Sequence, residues 1–291
     1  MKHRTRSARR AMVGYGLIAP FSIGWIIFYA APFISIIRSS LVKGNGVAQR
    51  FVGLDNYRIL LTNKTYQLAF GNTMRFLAVA LPLILVLSYA IALMLKNQVK
   101  KHQALKSVLM LPYIMPVAGT VLLVELIFAE TGLLNKVLLA IGLPITDWLH
   151  SPHAFGATIV LYLWKNTGYN VLLLLSGLVA IPEDHYAAAA LDGASRFQQL
   201  RYITIPQMWY SVFFAAVFSL INAFKCFREI FLIGGTHPHE SIYMLQHFLN
   251  NCFERLSYNK LAVSSISLML VLTALFALAY RWVMKKEAYR A

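Results

Sequence analysis

The sequence predicts an all-α integral membrane protein with six transmembrane helices and both termini in the cytoplasm. Three observations lead there. Apolar residues fill 58% of the 291 positions and charged residues only 13%, against about a quarter charged in a soluble domain. The apolar residues come in long runs. Lys and Arg gather beside the ends of those runs.

Spanning the hydrocarbon core takes roughly 20 apolar residues. Six runs meet that length: about 12–37, 70–95, 107–129, 155–180, 207–231 and 262–284. The first follows Arg4, Arg6, Arg9 and Arg10 and lacks a small-x-small cleavage site, so it reads as a retained helix rather than a signal peptide. The second is almost unbroken from Leu77 to Leu95. The third is interrupted by Pro112 and Pro116, and the fourth by Trp164-Lys165-Asn166. Such breaks are tolerated where protein or a cavity satisfies the backbone. The expected organisation is a basic cytoplasmic N-terminus (1–11), one transmembrane domain (12–284) and a short cytoplasmic tail (285–291).

A net charge of +16 could point to nucleic acid, but its placement argues against that. The N-terminus has five basic residues, the 96–106 loop has Lys96, Lys100, Lys101 and Lys106, and the tail has Arg281, Lys285, Lys286 and Arg290. Cytoplasmic segments of membrane proteins carry this excess. The 130–154 loop has one Lys and two acids, as an outer loop should. The 38–69 loop has five basic residues although the topology places it outside. It is longer, and the rule weakens with length. Cys226 and Cys252 read as two unpaired thiols, with a disulfide as the alternative.

Function should sit where polar groups enter a span or where a loop has more pattern than a connector needs. The segment 181–206 is such a loop. Pro182 with Glu183 and Asp184 is a helix start, because acids favour the positive end of the helix dipole. Four alanines, Ala187 to Ala190, follow with high helix propensity and little bulk. Asp192-Gly193 signals a turn. A second short helix carries Phe197, Leu200 and Arg201, and Pro206 ends it and opens span five. Two short helices around a turn suit either a docking element or an amphipathic linker on the membrane surface.

This segment resembles the signature loop of permease subunits in binding-protein-dependent importers of the ATP-binding-cassette superfamily. Ala188-Ala189, Asp192-Gly193-Ala194-Ser195, Phe197, Ile203 and Pro206 match it. The signature Glu, which contacts the ATPase in that family, falls on Ala187. Gly53-Leu54-Asp55-Asn56-Tyr57, Asn72-Thr73, Leu111-Pro112-Tyr113-Ile114-Met115-Pro116 and Gly132-Leu133-Leu134-Asn135 are similar to carbohydrate-type permeases of the maltose and glycerol-3-phosphate kind. The resemblance implies a type I importer permease in a bacterial inner membrane. It implies a second permease subunit, two ATPase subunits that bind ATP and Mg, and an extracytoplasmic binding protein. ATPase coupling would fall to Glu183, Tyr186, Ala187, Ala188, Asp192, Gly193, Ala194 and Phe197.

Two spans carry polar faces. Tyr162, Asn166 and Tyr169 share one helix face in span four, and Ser219, Asn222 and Lys225 share one in span five. Rings and amides suit sugars, since rings stack on a pyranose and amides bond its hydroxyls. Matching positions in the resembled family line the substrate path. Polar packing between helices is the alternative. Lys165 in mid-span needs a cavity or a partner. Lys225 and Arg228 have Glu229 or a neighbouring subunit as candidate partners. Glu125 reads either as a buried carboxylate paired with Arg75 or Lys165, or as an interface residue. Gly234-Gly235 with Pro238 matches the family's gate-side turn.

The pairs His150/His153 and His237/His239 lack the Cys or carboxylate set of a metal site. No phosphate-binding loop occurs, so this chain is expected to be a non-catalytic subunit without a cofactor of its own. An ion-coupled secondary transporter is the runner-up, and it would need carboxylates or broken helices at midplane and an inverted repeat.

Overall fold

The computed structural model describes residues 2–44, 49–96 and 103–288. Lys100, Lys101 and Arg290, named above among the charge clusters, lie outside the described residues. Five described stretches are long and apolar enough to cross a bilayer: Ala11–Ser40, Lys64–Leu95, Val117–Ala140, Trp209–Gly234 and Tyr258–Arg281. A sixth is reached when Ala154–Val179 is taken with Glu183–Leu191, across a bend of 62°.

The chain forms two compact units. The first comprises Met1–Asn63 and Cys252–Val271, the second Lys64–Asn251 and Leu272–Ala291. Both cysteines are free thiols and buried.

In the first unit, α1 (Lys2–Trp25) passes through a π-turn (Ile26–Ala30) into α2 (Ala31–Ser40). Pro32 sits in the first turn of α2, and the wider turn before it accommodates a residue that donates no N–H. A short hairpin follows, β1 (Val42–Lys43) with β2 (Arg50–Phe51), and then α3 (Asp55–Leu61). The last carbonyls of a helix have no partner within it. Here two asparagines serve them. Asn56 Nδ2 donates to the carbonyls of Ser40 (2.9 Å) and Val42 (2.8 Å), and Asn259 Nδ2 to those of Ser39 (3.0 Å) and Val42 (2.7 Å). Tyr57 donates to the Ser40 hydroxyl. The Asn56-Tyr57 motif is therefore a clasp on the end of α2.

The second unit is built on α4 (Lys64–Leu95) and α8 (Ala154–Val179), with α5 (Gln103–Ile114), α6 (Val117–Phe128) and α7 (Leu133–Ala140) between them in sequence. After α8 come α9 (Glu183–Leu191), α10 (Arg196–Gln199), a π-turn (Leu200–Thr204) and α11 (Ile205–Gln207). Then follow α12 (Trp209–Lys225), α13 (Phe227–Gly234), α14 (Leu245–Glu254) and α15 (Tyr258–Ala288). Helices α14 and α15 continue from one unit into the other.

Two spans depart from the apolar pattern. The third does not run from residue 107 to 129. It breaks at Met115–Pro116, and the crossing stretch begins at Val117. Proline lacks an N–H and drives the residue before it out of the α region. The fourth was expected to be interrupted at Trp164-Lys165-Asn166, yet α8 is continuous there. Its polar side chains fold back on their own helix: Asn166 Nδ2 on Tyr162 O (2.9 Å), Thr167 Oγ1 on Leu163 O (2.6 Å) and Asn170 Nδ2 on Asn166 O (3.1 Å). Span five opens at Trp209, three residues after Pro206, because Met208 closes α11 first.

Helices α4, α8 and α12 enclose a core of Phe76, Ala80, Ile84, Tyr162, Leu220 and Ala223. A second core lies along Ala92, Val171, Leu174, Leu178, Met208 and Ala215. Small residues recur because apolar helices in lipid gain little by hiding from it and must pack backbone to backbone. Gly168 is the extreme case. A Cβ there would sit 1.7 Å from the carbonyl oxygen of Leu109, so α5 lies directly against α8. Gly168→Ala should lower the thermal unfolding temperature of the purified protein by several degrees, since overpacking costs about 1–3 kcal/mol or more. Gly156→Ala, with nothing within 4 Å of its added carbon, should not.

His247, at the start of α14, is fully buried between Phe227 and Tyr243. Its Nδ1 accepts the Met244 N–H at 3.1 Å. Burial, reinforced by nearby His237, pushes its pKa down from 6.5 to about 4. The unfolded chain therefore binds this proton first. The stability it contributes is full above pH 6.5 and falls as pH drops toward 4, by roughly 3 kcal/mol if the whole shift is expressed. Unfolding followed from pH 7.5 to 4.5 should show that decline in wild type and a smaller one in His247→Gln.

Candidate functional site

Two regions gather the residues singled out from the sequence. The first is a cavity of about 220 Å³ on the inner side of α5, α6, α8, α12 and α13. Tyr162, Asn166, Asn222 and Lys225 line it together. So two faces that the sequence could only list separately meet on one cavity. Tyr169 and Ser219 do not line it. Tyr169 stacks on Tyr113, which does, with ring centres 4.7 Å apart and planes 17° apart. Ser219 lies behind the wall, fully buried. Its hydroxyl donates to Asn170 Oδ1 (3.0 Å), and its carbonyl accepts the Tyr162 hydroxyl (2.7 Å). Ser219 thus joins α12 to α8, and it fixes the Tyr162 ring.

Sequence reasoning flagged Lys165 but not its partner. Its Nζ meets Glu229 Oε1 at 2.5 Å and donates to Thr120 Oγ1 at 3.3 Å. That ties α8 to α13 and α6. Both charges are nearly buried, with 14% and 5% of their side chains exposed. Such a pair is needed to hold either charge away from water. Lys225 and Arg228, each weighed as a partner for Glu229, are exposed instead on the chain. Glu125 pairs with neither suggested partner: it is exposed, Lys165 is engaged with Glu229, and Arg75 lies 4.4 Å over the Phe155 ring. Tyr113, Arg228 and Glu229 are further lining residues. Tyr113 carried a signal, since its motif has two prolines flanking it, but nothing in sequence places it beside Tyr169.

Two polar loose ends belong to residues of the lining. Asn222 Nδ2 and Glu229 Oε2 are buried and have no hydrogen-bond partner among the described residues. Buried donors and acceptors are rarely left so. The lining thus combines aromatic rings, amides and charged groups, a chemistry that suits a polyhydroxylated ring.

The second region is the two-helix segment after α8. Glu183 and Asp184 open α9 behind Pro182. Asp192 closes it, and Gly193 makes the turn at φ +78°, a conformation that costs a residue with a Cβ about 1–2 kcal/mol. The Ala194 N–H donates back to Ala189 O (2.9 Å). Ser195 and Gln198 then form a reciprocal capping box at the start of α10. The segment is thus rigid through its own backbone bonds. Glu183, Ala187, Ala188, Asp192, Gly193 and Phe197 are exposed, and Ala194 is half-buried. Leu191 and Phe197, at 90% and 70% exposure, are large apolar side chains with no cover from this chain. Tyr186 turns inward. Its ring lies 3.9 Å from Lys96 Nζ at the end of α4, and its hydroxyl bonds Thr204 Oγ1 at 3.0 Å. It braces the segment against two other elements.

The remaining motifs are structural clasps. Asn72 Nδ2 holds the carbonyls of Glu240 (2.6 Å) and Tyr243 (3.0 Å), while Thr73 Oγ1 accepts the Leu245 N–H (2.9 Å). Asn135 holds Ala129 O and Thr146 O, and its Oδ1 accepts from Thr146 N and Trp148 Nε1. Gly235 ends α13 with φ +66°. The loop histidines serve locally. His150 and Leu149 N–H groups bond the Asp147 carboxylate and hold its pKa below the usual range, and His239 caps Ser241.

Residues 85–288 match the family described as binding-protein-dependent transport system inner membrane component. The trehalose/maltose transport system permease protein MalF of Thermococcus litoralis is 30% identical over 277 residues, covering 94% of this chain and 93% of that protein. The arabinooligosaccharides permease AraP of Bacillus subtilis is 29% identical over 223 residues, covering 75% of this chain and 71% of that protein. A solved bacterial ABC transporter involved in the import of alginate has a chain that superposes with a TM-score of 0.82 at 21% identity, covering 97% of this chain and 99% of that one.

Removing one member of the Lys165–Glu229 pair leaves the other charge buried and alone, at a cost of about 3–5 kcal/mol. Lys165→Met and Glu229→Leu should each lower the unfolding temperature sharply, and the double variant should recover most of the loss.

Proposed function

The chain belongs to the family of binding-protein-dependent transport system inner membrane components, and from that premise we propose that it is one permease half of an ATP-driven carbohydrate importer. It is the non-catalytic, membrane-embedded component. The ion-coupled alternative gives way to this family membership.

In this reading the chain crosses a bacterial cytoplasmic membrane six times, as one transmembrane domain over 12–284 with both termini inside. A second, homologous permease subunit closes the pathway. Two ATPase subunits bind ATP and Mg and dock on the 183–201 segment of each permease. An extracytoplasmic binding protein delivers the saccharide. The observation that carries the proposal is the cavity wall of Tyr113, Tyr162, Asn166 and Asn222. The names of the relatives, which include permeases for maltose, trehalose and arabinooligosaccharides, support a saccharide as cargo.

The drive follows from rigidity. Closure of the ATPase dimer on bound ATP moves α9 and α10. Their internal bonds keep them from bending, and Tyr186 passes the motion to α4 through Lys96 and to the π-turn before α12 through Thr204. The helices rock as bodies, and the cavity changes the side on which it opens. Ala187 has no carboxylate with which to grip the ATPase. Leu191 and Phe197 supply apolar contact in its place.

Uptake of radiolabelled oligosaccharide by the reconstituted importer tests this. Gly193→Val strains the turn between the two helices and should cut binding-protein-stimulated ATP hydrolysis by about tenfold while the permease still inserts. Wild-type stimulation in that variant would remove the segment from the drive. Uptake that survives ATP depletion would remove the importer reading altogether.

A further inference from the structure

The cavity has a charge that a neutral sugar does not explain. Its lining contains Lys165, Lys225 and Arg228 against Glu229, the single carboxylate of the lining among the described residues. Oε1 of that carboxylate is taken by Lys165 at 2.5 Å. The lining thus leaves two cations without a counter-charge. Both lie beside Cys226, where α12 ends and α13 begins. Lys225 is the last residue of α12 and Arg228 the second of α13. They stand three residues apart, within one candidate membrane-crossing stretch, Trp209–Gly234.

Two like charges side by side repel, and cations within a span are not left to lipid. Such a pair is stabilised by an anion. Resting on the proposal that this cavity carries a saccharide, we propose that the saccharide is acidic, a sugar or short oligosaccharide bearing carboxylate groups. Arg228 offers two parallel N–H donors, which match a carboxylate. Lys225 adds a point charge beside it. The Tyr113 ring, stacked on Tyr169 outside the lining, gives an apolar surface for the ring. Asn166 and Asn222 add amides to the same lining. Glu229 does not repel the cargo's carboxylate strongly, because Lys165 neutralises it in place. The lining then meets a carboxylate with its two cations and a sugar ring with Tyr113.

The test uses the complete importer, with its binding protein and ATPase subunits, in liposomes. The probes are short oligosaccharides of hexuronic acids and the same oligosaccharides with their carboxyl groups reduced to alcohols. Wild type should take up the acidic set in preference. Lys225→Gln with Arg228→Gln should lower the acidic-to-neutral uptake ratio by about tenfold or more, the scale of a lost charge-assisted hydrogen bond. Lys225→Arg with Arg228→Lys should retain the preference. Preference for the reduced set, with uptake otherwise intact, would overturn the acidic assignment and leave the saccharide reading standing. So would an unchanged ratio in the double variant. Failure of that variant to co-purify with its partner permease would assign the two cations to the subunit interface and overturn the proposal. Transport of neither set would overturn both readings together.

Discussion

The Lys165–Glu229 pair fixes where the working parts of the larger unit can lie. A charge in the middle of a membrane span has to be met by protein or by water. Lys165 is met by Glu229 and by Thr120, so α6, α8 and α13 are drawn to one point. The cavity opens beside that point, and its aromatic and amide lining comes from the same helices. Breaking the pair would therefore disturb stability and the wall together. The pair neutralises itself, and what remains beside it is the positive charge of Lys225 and Arg228.

The same economy governs the helix ends. Each break in a span frees carbonyls and N–H groups that lipid cannot serve. Asparagines take up these groups at the end of α2, at the segment before α14 and around α7. Within α8, Asn166, Thr167 and Asn170 return to carbonyls of their own helix. Among the described residues these polar side chains satisfy backbone, whereas Asn222 and Glu229, residues of the cavity lining, each keep a buried atom without a partner.

The segment after α8 works by the opposite means. It has almost no buried side chains, yet its turn, its capping box and its backbone bonds make it stiff. Stiffness lets a surface element pass on a push. Tyr186 explains how an exposed segment is joined to the helices behind it, because its ring and its hydroxyl reach different elements. With no acid at 187, the proposed docking relies on the exposed apolar side chains of Leu191 and Phe197.

The sequence by itself determined the membrane class, the number of apolar runs, the family and the turn at Gly193. Each of these depends on local composition: lipid selects long apolar runs, and a tight turn selects glycine. It also identified Tyr162, Asn166, Asn222 and Lys225, because helical spacing shows which residues share a face. Tertiary structure alone decided that these two faces meet on one cavity while Ser219 and Tyr169 stay outside its lining. It decided that Lys165 pairs with Glu229, 64 residues away, rather than with Glu125. It showed too that α8 runs unbroken where its polar residues had suggested an interruption. Spacing along one helix fixes direction but not neighbours. The neighbours were set by how closely backbones could approach, as where Gly168 admits Leu109, and by the need of the buried charge on Lys165 for a partner.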